Sequence, residues 1–461
     1  MKRTDAALNQ DLAWEGFPLR TLRCRKELAK RDSGAVCPKT NPPVVIPKPA
    51  PSARNLLAAS SEAADSSRDK AALRNDNSLR VFNLHHYGKC AKMGLLLAAS
   101  WLFAALPVCI AENPVPQEID HIFDGLRSDG APGAAVLVLR NGEVVFERGY
   151  GVADLRTLRK IDAHTNFRLA SCTKQFTAMA VMLLVHDGRL HYEDRLTDIF
   201  PDFPAYGRTI TIRNLLNHTS GLLDYEDLMA QSRPGTPTAQ VAQIKDAGVL
   251  ALLKQQKTTK FPPGTKWDYS NSGYATLAMV VEKVSGQHFG DFLHARIFDP
   301  LDMKQTVAYE KGKNTVTDRA YGHTHEGEVW RELDQSPTSA VLGDGGVYSS
   351  LDDLARWDRA LAHHTLLSEV EMKPAITPVK VADGSVREPD GTPAAYGFGW
   401  FLNPYRDHPR MWHYGETVGF RTTIQRFVED RLTVIVLCNR DDLVPANLAL
   451  QVANLFLSAH H

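Results

Sequence analysis

Ser171-Cys172-Thr173-Lys174 stands at the mouth of an apolar run. A serine followed three residues later by a lysine supplies a nucleophile and its base. On a helical turn such residues share a face, so the amine reaches the hydroxyl. The first turn of a helix also carries partial positive charge, which favours an alkoxide and disfavours an ammonium. Alone the pattern is weak, because chance produces it in a chain of 461 residues. Tyr269-Ser270-Asn271 supplies company. It follows Pro262-Pro263-Gly264-Thr265 and precedes a helical stretch, which places it in a loop. A tyrosine hydroxyl relays a proton when a neighbouring cation stabilises its anion, and an amide both donates to and accepts from a substrate amide. The third piece, His413-Tyr414-Gly415, enters a strand-like run. On a strand His413 and Gly415 face one way and Tyr414 the other. With no side chain at Gly415, a substrate can lie directly against that strand.

Other polar clusters carry less. His218, in His218-Thr219-Ser220-Gly221, reads as the brace of a turn. His323-Thr324-His325-Glu326 has the composition of a hairpin and lacks the His-Glu-x-x-His spacing of a zinc site. Cys172 reads as a buried thiol turned away from the nucleophile. The chain shows neither a Gly-rich phosphate loop nor a dinucleotide fingerprint, so the expectation is chemistry without cofactor or metal.

Taken in order, Ser-x-x-Lys, Tyr-x-Asn and His-x-Gly resemble the three active-site motifs of the serine β-lactamase-related family. That family comprises class C type β-lactamases, DD-peptidases and related esterases and aminopeptidases. Leu215–Leu222, Pro263–Asn271, Gly345–Ser349 and Tyr396–Trp400 strengthen the resemblance, which runs from about Val115 to the C-terminus. The family implies an acyl-enzyme on Ser171, with Lys174 as general base and Tyr269 passing protons to the leaving group. It also implies that Asn271, His413 and Gly415 bind substrate. The backbone N–H groups of Ser171 and Glu416 would form the oxyanion hole. Many β-lactamases carry Lys-Thr-Gly or Lys-Ser-Gly at the third motif, where a permanent cation grips a carboxylate. A histidine is only partly charged near neutral pH. The expectation is therefore a general esterase or peptidase ahead of a β-lactamase or a DD-peptidase, acting on a small-molecule or peptide acyl substrate. A silent acyl-binding sensor of the same fold is the alternative from another class.

The elements that must position these residues are legible in outline. Val115–Leu126 reads as a short helix. Ala134–Leu139 and Val144–Arg148 flank Asn141-Gly142 as a hairpin. Thr422–Val428 and Leu432–Leu437 read as a second hairpin, followed by a helix over Ala446–Leu457. Helical patterns over Cys172–His186, Val249–Gln256, Tyr274–Val284 and Leu351–Ala362 lie between them, the last opened by a Ser350/Asp353 capping box. Strands at both ends and helices in the middle give an α+β fold. An antiparallel sheet is formed from both termini and flanked by helices, with an inserted helical subdomain.

The composition fits such a domain: 43% hydrophobic, 23% charged and 53 basic against 53 acidic residues. That excludes a polytopic membrane protein and a chain disordered throughout. The neutral total conceals a split, with a net charge of +8 over residues 1–92 and −8 over 93–461. An acidic body is a poor partner for nucleic acid. Residues 93–111 contain no charged side chain, follow Lys89 and Lys92, and end in Cys109-Ile110-Ala111. They read as a secretory signal peptide cleaved after Ala111, or as an uncleaved anchor that tethers the protein to a membrane. Either reading puts residues 112–461, the catalytic domain, in the periplasm or outside the cell. Residues 1–92, with six prolines between 38 and 51, contain no core-forming pattern. They are a disordered tail, or lie upstream of a true start near Met93.

Overall fold

The computed structural model describes residues 116–232, 241–382, 386–388 and 391–457. The extension 1–92 and the uncharged run 93–111 lie outside the described residues. Helix α1 (Pro116–Ile122) leads through a 3₁₀ turn at Asp124–Leu126 to strands β1 (Ala134–Arg140) and β2 (Glu143–Tyr150). Asn141 and Gly142 both take positive φ, 53° and 83°, the mirror-image turn that matches the twist of a hairpin. Near the other end come β3 (Arg410–Thr417), β4 (Phe420–Phe427) and β5 (Leu432–Cys438). The five form one antiparallel sheet in the order β3-β4-β5-β1-β2. Strands from the two ends of the described region therefore meet near its centre, where Ala134 pairs with Cys438 and Arg140 with Leu432.

Strand β1 reads as a continuous apolar run because both of its faces are covered. Ala134, Val136 and Val138 pack with Ile119, Phe123, Val452 and Ala453 under the terminal helices. Ala135, Leu137 and Leu139 face the other way, into a larger core shared with the helices from the middle of the chain. That inner layer holds α2 (Lys174–His186), α3 (Tyr225–Ser232), α4 (Asn271–Ser285) and α5 (Leu351–Ala362). Helix α6 (Pro445–Asn454) closes the outer layer and opens with a proline in its first turn, where the missing N–H has no partner to lose.

The α+β class and its composite sheet match the sequence reading. Two details differ. Among the described residues there are smaller sheets as well, including one in which Phe167–Arg168, Val347–Ser349 and Val307–Ala308 pair. The capping box at α5 is only half made. Ser350 Oγ accepts from Asp353 N–H, but the Asp353 carboxylate turns instead to the Gln305 N–H at 2.9 Å and the Thr306 hydroxyl at 2.8 Å. As its composition implied, His323–Glu326 forms a hairpin with Val329–Glu332, and His323 is buried with Nδ1 at 3.2 Å from the Asn439 carbonyl.

Candidate active site

The Phe167–Arg168 strand feeds Ser171 into place. Leu169 N–H bonds the Val347 carbonyl at 2.9 Å, and the buried Arg168 guanidinium grips Ser339 Oγ at 2.6 Å and the Gly345 carbonyl at 3.2 Å. The chain then turns sharply, with Ala170 at φ 47°, into a 3₁₀ turn over Ala170–Thr173 that runs on into α2. In a 3₁₀ turn residues three apart eclipse one another, so Lys174 stands directly over Ser171.

The Lys174 side chain is wholly buried, and its amine has three oxygen neighbours: Ser171 Oγ at 3.1 Å, Asn271 Oδ1 at 2.9 Å and the Asp344 main-chain carbonyl at 2.9 Å. The rings of Tyr269 and Tyr274 lie 4.9 and 5.4 Å from it. Burial draws its pKa down to about 8, against the opposing pull of Asp344, Cys172 and Glu226. A tenth of such amines are already neutral near pH 7, roughly, and can accept the Ser171 proton.

Asn271 is the first residue of α4, whose N-cap Ser270 accepts from Gly273 N–H at 3.1 Å. Since Asn271 Oδ1 accepts from Lys174, the N–H pair is what this amide can present to a substrate. Tyr269, just before, is held well above the usual phenol range, first by burial and then by Tyr414. It is therefore neutral at rest. Its buried Oη makes no hydrogen bond among the described residues, yet lies close enough to Ser171 for that hydroxyl to favour its ionised form. Behind it, the His218 ring lies tilted at 4.4 Å and its Nδ1 accepts the Ser270 N–H at 3.1 Å. His218 thus braces this loop, as its sequence context implied.

The third motif departs from expectation. His413 and Gly415 do share a face of β3, but neither is an open wall of the cleft. The His413 ring is fully buried, with Nε2 at 3.1 Å from the Tyr396 hydroxyl and Nδ1 at 2.6 Å from the Tyr414 carbonyl. Burial, reinforced by the Lys174 charge, lowers its pKa to about 3. It is neutral throughout the physiological range, not partly charged. At Gly415 a Cβ would fall 2.1 Å from the Leu169 carbonyl oxygen and 3.1 Å from Ala170 Cβ. The space is filled by the turn that carries Ser171, not kept for substrate. Glu416 follows at the outer end of the strand, with its carboxylate on Arg421 at 3.0 Å.

Cys172 is buried, with its thiol pushed up to about 12 by burial. The sequence reading missed Asp344 and Tyr225 as site residues, although the neighbouring Gly345–Ser349 had drawn notice. Among the described residues no group of His, Cys, Asp and Glu is arranged to hold a metal ion.

A buried lysine amine on a serine hydroxyl, set between a sheet and a helical layer, is the arrangement of a serine hydrolase. A beta-lactamase family model matches residues 119–456, and the chain belongs to that family. It is 31% identical over 338 residues to penicillin-binding protein 4* of Bacillus subtilis, covering 71% of this chain and 72% of that protein. It is 28% identical over 338 residues to the D-aminopeptidase of Cereibacter sphaeroides, covering 70% of this chain and 60% of that protein. Among solved structures, the D-amino acid amidase of Ochrobactrum anthropi shares the fold, with a TM-score of 0.62 at 24% identity over 73% of this chain and 98% of that one.

Proposed function

We propose that the protein cleaves an amide or ester bond of a small peptide or amino-acid derivative through an acyl-enzyme on Ser171. The observation that carries this is the buried Lys174 amine at 3.1 Å from Ser171 Oγ, with its pKa drawn to about 8. In the neutral form Lys174 takes the hydroxyl proton as Oγ bonds to the substrate carbonyl carbon. The oxyanion is received by the N–H groups of Ser171 and Glu416, as the family resemblance implies. Tyr269, neutral at rest, donates its proton to the departing nitrogen or oxygen and regains one from Lys174. Water then attacks the acyl carbonyl along the reverse proton route. Asn271 offers its N–H pair to the substrate.

Similarity to a D-aminopeptidase and to a D-amino acid amidase favours amides of D-amino acids as the first substrates to try. The neutral His413 argues in the same direction, because a β-lactam carboxylate meets no cation at the third motif. Export of the catalytic body, supported by the uncharged run 93–111, belongs to the same reading.

The test is intact-mass analysis of the protein incubated with D- and L-amino acid aryl amides, simple aryl esters and a fluorescent penicillin. The expected result is an acyl adduct on Ser171 and none in Ser171→Ala. The Ser171 hydroxyl caps no helix end, so this variant keeps the fold. If no probe of any class modifies Ser171, the acyl-binding sensor becomes the better reading.

A further inference from the structure

Beside Ser171, Lys174, Tyr269 and Asn271 lies a buried aspartate, Asp344. Asp344 belongs to a single helical turn, Leu342–Gly345, that is bolted down on two sides. The buried Asp246 carboxylate accepts the Leu342 and Gly343 N–H groups at 2.8 and 2.9 Å. The Thr177 hydroxyl, one turn along α2 from Lys174, donates to the Gly343 carbonyl at 2.7 Å. That anchorage fixes the Asp344 carbonyl at 2.9 Å from Lys174 Nζ. Asp344 is 7% exposed, and its Oδ2 accepts the Tyr225 hydroxyl at 2.9 Å. A carboxylate so far from water needs a positive partner. Burial raises the Asp344 pKa, and the charge of Lys174 opposes that rise more strongly than the Tyr225 hydroxyl or Arg168 does.

Every group facing Lys174 bears on its charge. On its own turn is Cys172, a neutral thiol. His218 and His413, from the loop before α3 and from β3, are both held uncharged by burial. Tyr269 and Tyr274 are neutral phenols. Glu226, next to Tyr225 on α3, adds a weaker attraction than Asp344 does. The three oxygens that the amine touches are neutral.

We propose that Asp344 is a positioning residue for the base: its main-chain oxygen holds the Lys174 amine on Ser171, and its carboxylate, oriented by Tyr225, is the counter-charge of that amine. Ser171, Lys174 and Asp344 then form a relay of nucleophile, base and orienting acid, the logic by which an aspartate serves the histidine of other serine hydrolases. When Lys174 takes the Ser171 proton, an ammonium appears in a water-poor site, and the Asp344 carboxylate stabilises it. The proposal rests on Ser171 being acylated.

The test is the pH profile of 4-nitrophenyl acetate hydrolysis by the full chain and by Asp344→Asn, with acetylation of Ser171 followed by mass. Removing the negative charge makes the ammonium less stable. The acidic limb of kcat/KM, which follows loss of the Lys174 proton, should move down by about one pH unit. The alkaline plateau of kcat should fall tenfold or more. Tyr225→Phe retains the charge and should lower the plateau while leaving the limb in place. Asp344→Ser, also neutral, decides the matter if Asp344→Asn is not folded by circular dichroism. A limb that stays put or moves up in a folded neutral variant overturns the proposal, as does failure of both neutral variants to fold. A wild-type chain that gains no acetyl group on Ser171 overturns the hydrolase reading and this proposal with it, whereas acetylation with an unmoved limb overturns this proposal alone.

Discussion

Gly415→Ala separates two uses of one glycine. If the position exists to let substrate lie against β3, a methyl group there obstructs bulky substrates and spares small ones. The structure makes a different demand. The new Cβ would meet the Leu169 carbonyl oxygen at 2.1 Å and Thr422 Oγ1 at 2.3 Å. Ordinary contact begins near 3.4 Å, so the Leu169 carbonyl must retreat by about 1.3 Å. That carbonyl accepts the Thr422 hydroxyl at 2.8 Å and lies two residues before Ser171. Its retreat drags the nucleophile, and a misplacement of about 1 Å costs on the order of 100-fold in rate. The accompanying overpacking costs about 1–3 kcal/mol of stability. The assay is the acylation rate of Ser171 with 4-nitrophenyl acetate and with a bulky aryl ester, alongside thermal unfolding. Both rates should fall by about 100-fold, with a lower Tm. A variant that acylates with the acetate at the wild-type rate and loses only the bulky ester would refute this reasoning.

Three further outcomes can be measured. Lys174→Arg should lose on the order of a thousandfold in activity, because a guanidinium keeps its proton at any working pH. In the unaltered protein kcat/KM should rise about tenfold between pH 7 and pH 9 as Lys174 passes through its pKa of about 8, and an inflection near pH 6–7 that disappears in His413→Gln would contradict the neutral His413. Expression from Met93 in an exporting bacterial host should yield extracytoplasmic protein beginning near Glu112; N-terminal sequencing that still reads residues 93–111 on membrane-bound protein would favour the anchor.

What could be read from the sequence was local or paired by pattern. Asn141-Gly142 announced its hairpin because a two-residue turn of that hand needs left-handed backbone at both positions. Helix α5 could be bounded at Leu351 and Ala362 because Ser350 caps it and its apolar stripe repeats with helical period. The pairing of Ser171 with Lys174 likewise lay within one turn. The missed features depend on burial supplied from far along the chain. Nothing in His413-Tyr414-Gly415 says that Tyr396 will cover the imidazole or that Leu169 will fill the place of a Cβ. Asp344 meets Tyr225 and Lys174 across more than a hundred residues of chain, and an aspartate among glycines looks like an ordinary turn until that contact exists.

The splice of β1 against β5 also sets a timetable. The strand that opens the sheet waits for a partner some 300 residues further on, and translation at about 5–20 residues per second takes roughly 15–60 seconds to deliver it. Until then the ribosome-bound chain carries Ser171 and Lys174 without β3 behind them. The turn that carries Ser171 meanwhile lacks the Thr422 hydroxyl that holds its Leu169 carbonyl. A premature stop before residue 410 would leave the Ser-x-x-Lys sequence intact and yield a product with nothing to hold that serine in line with a carbonyl.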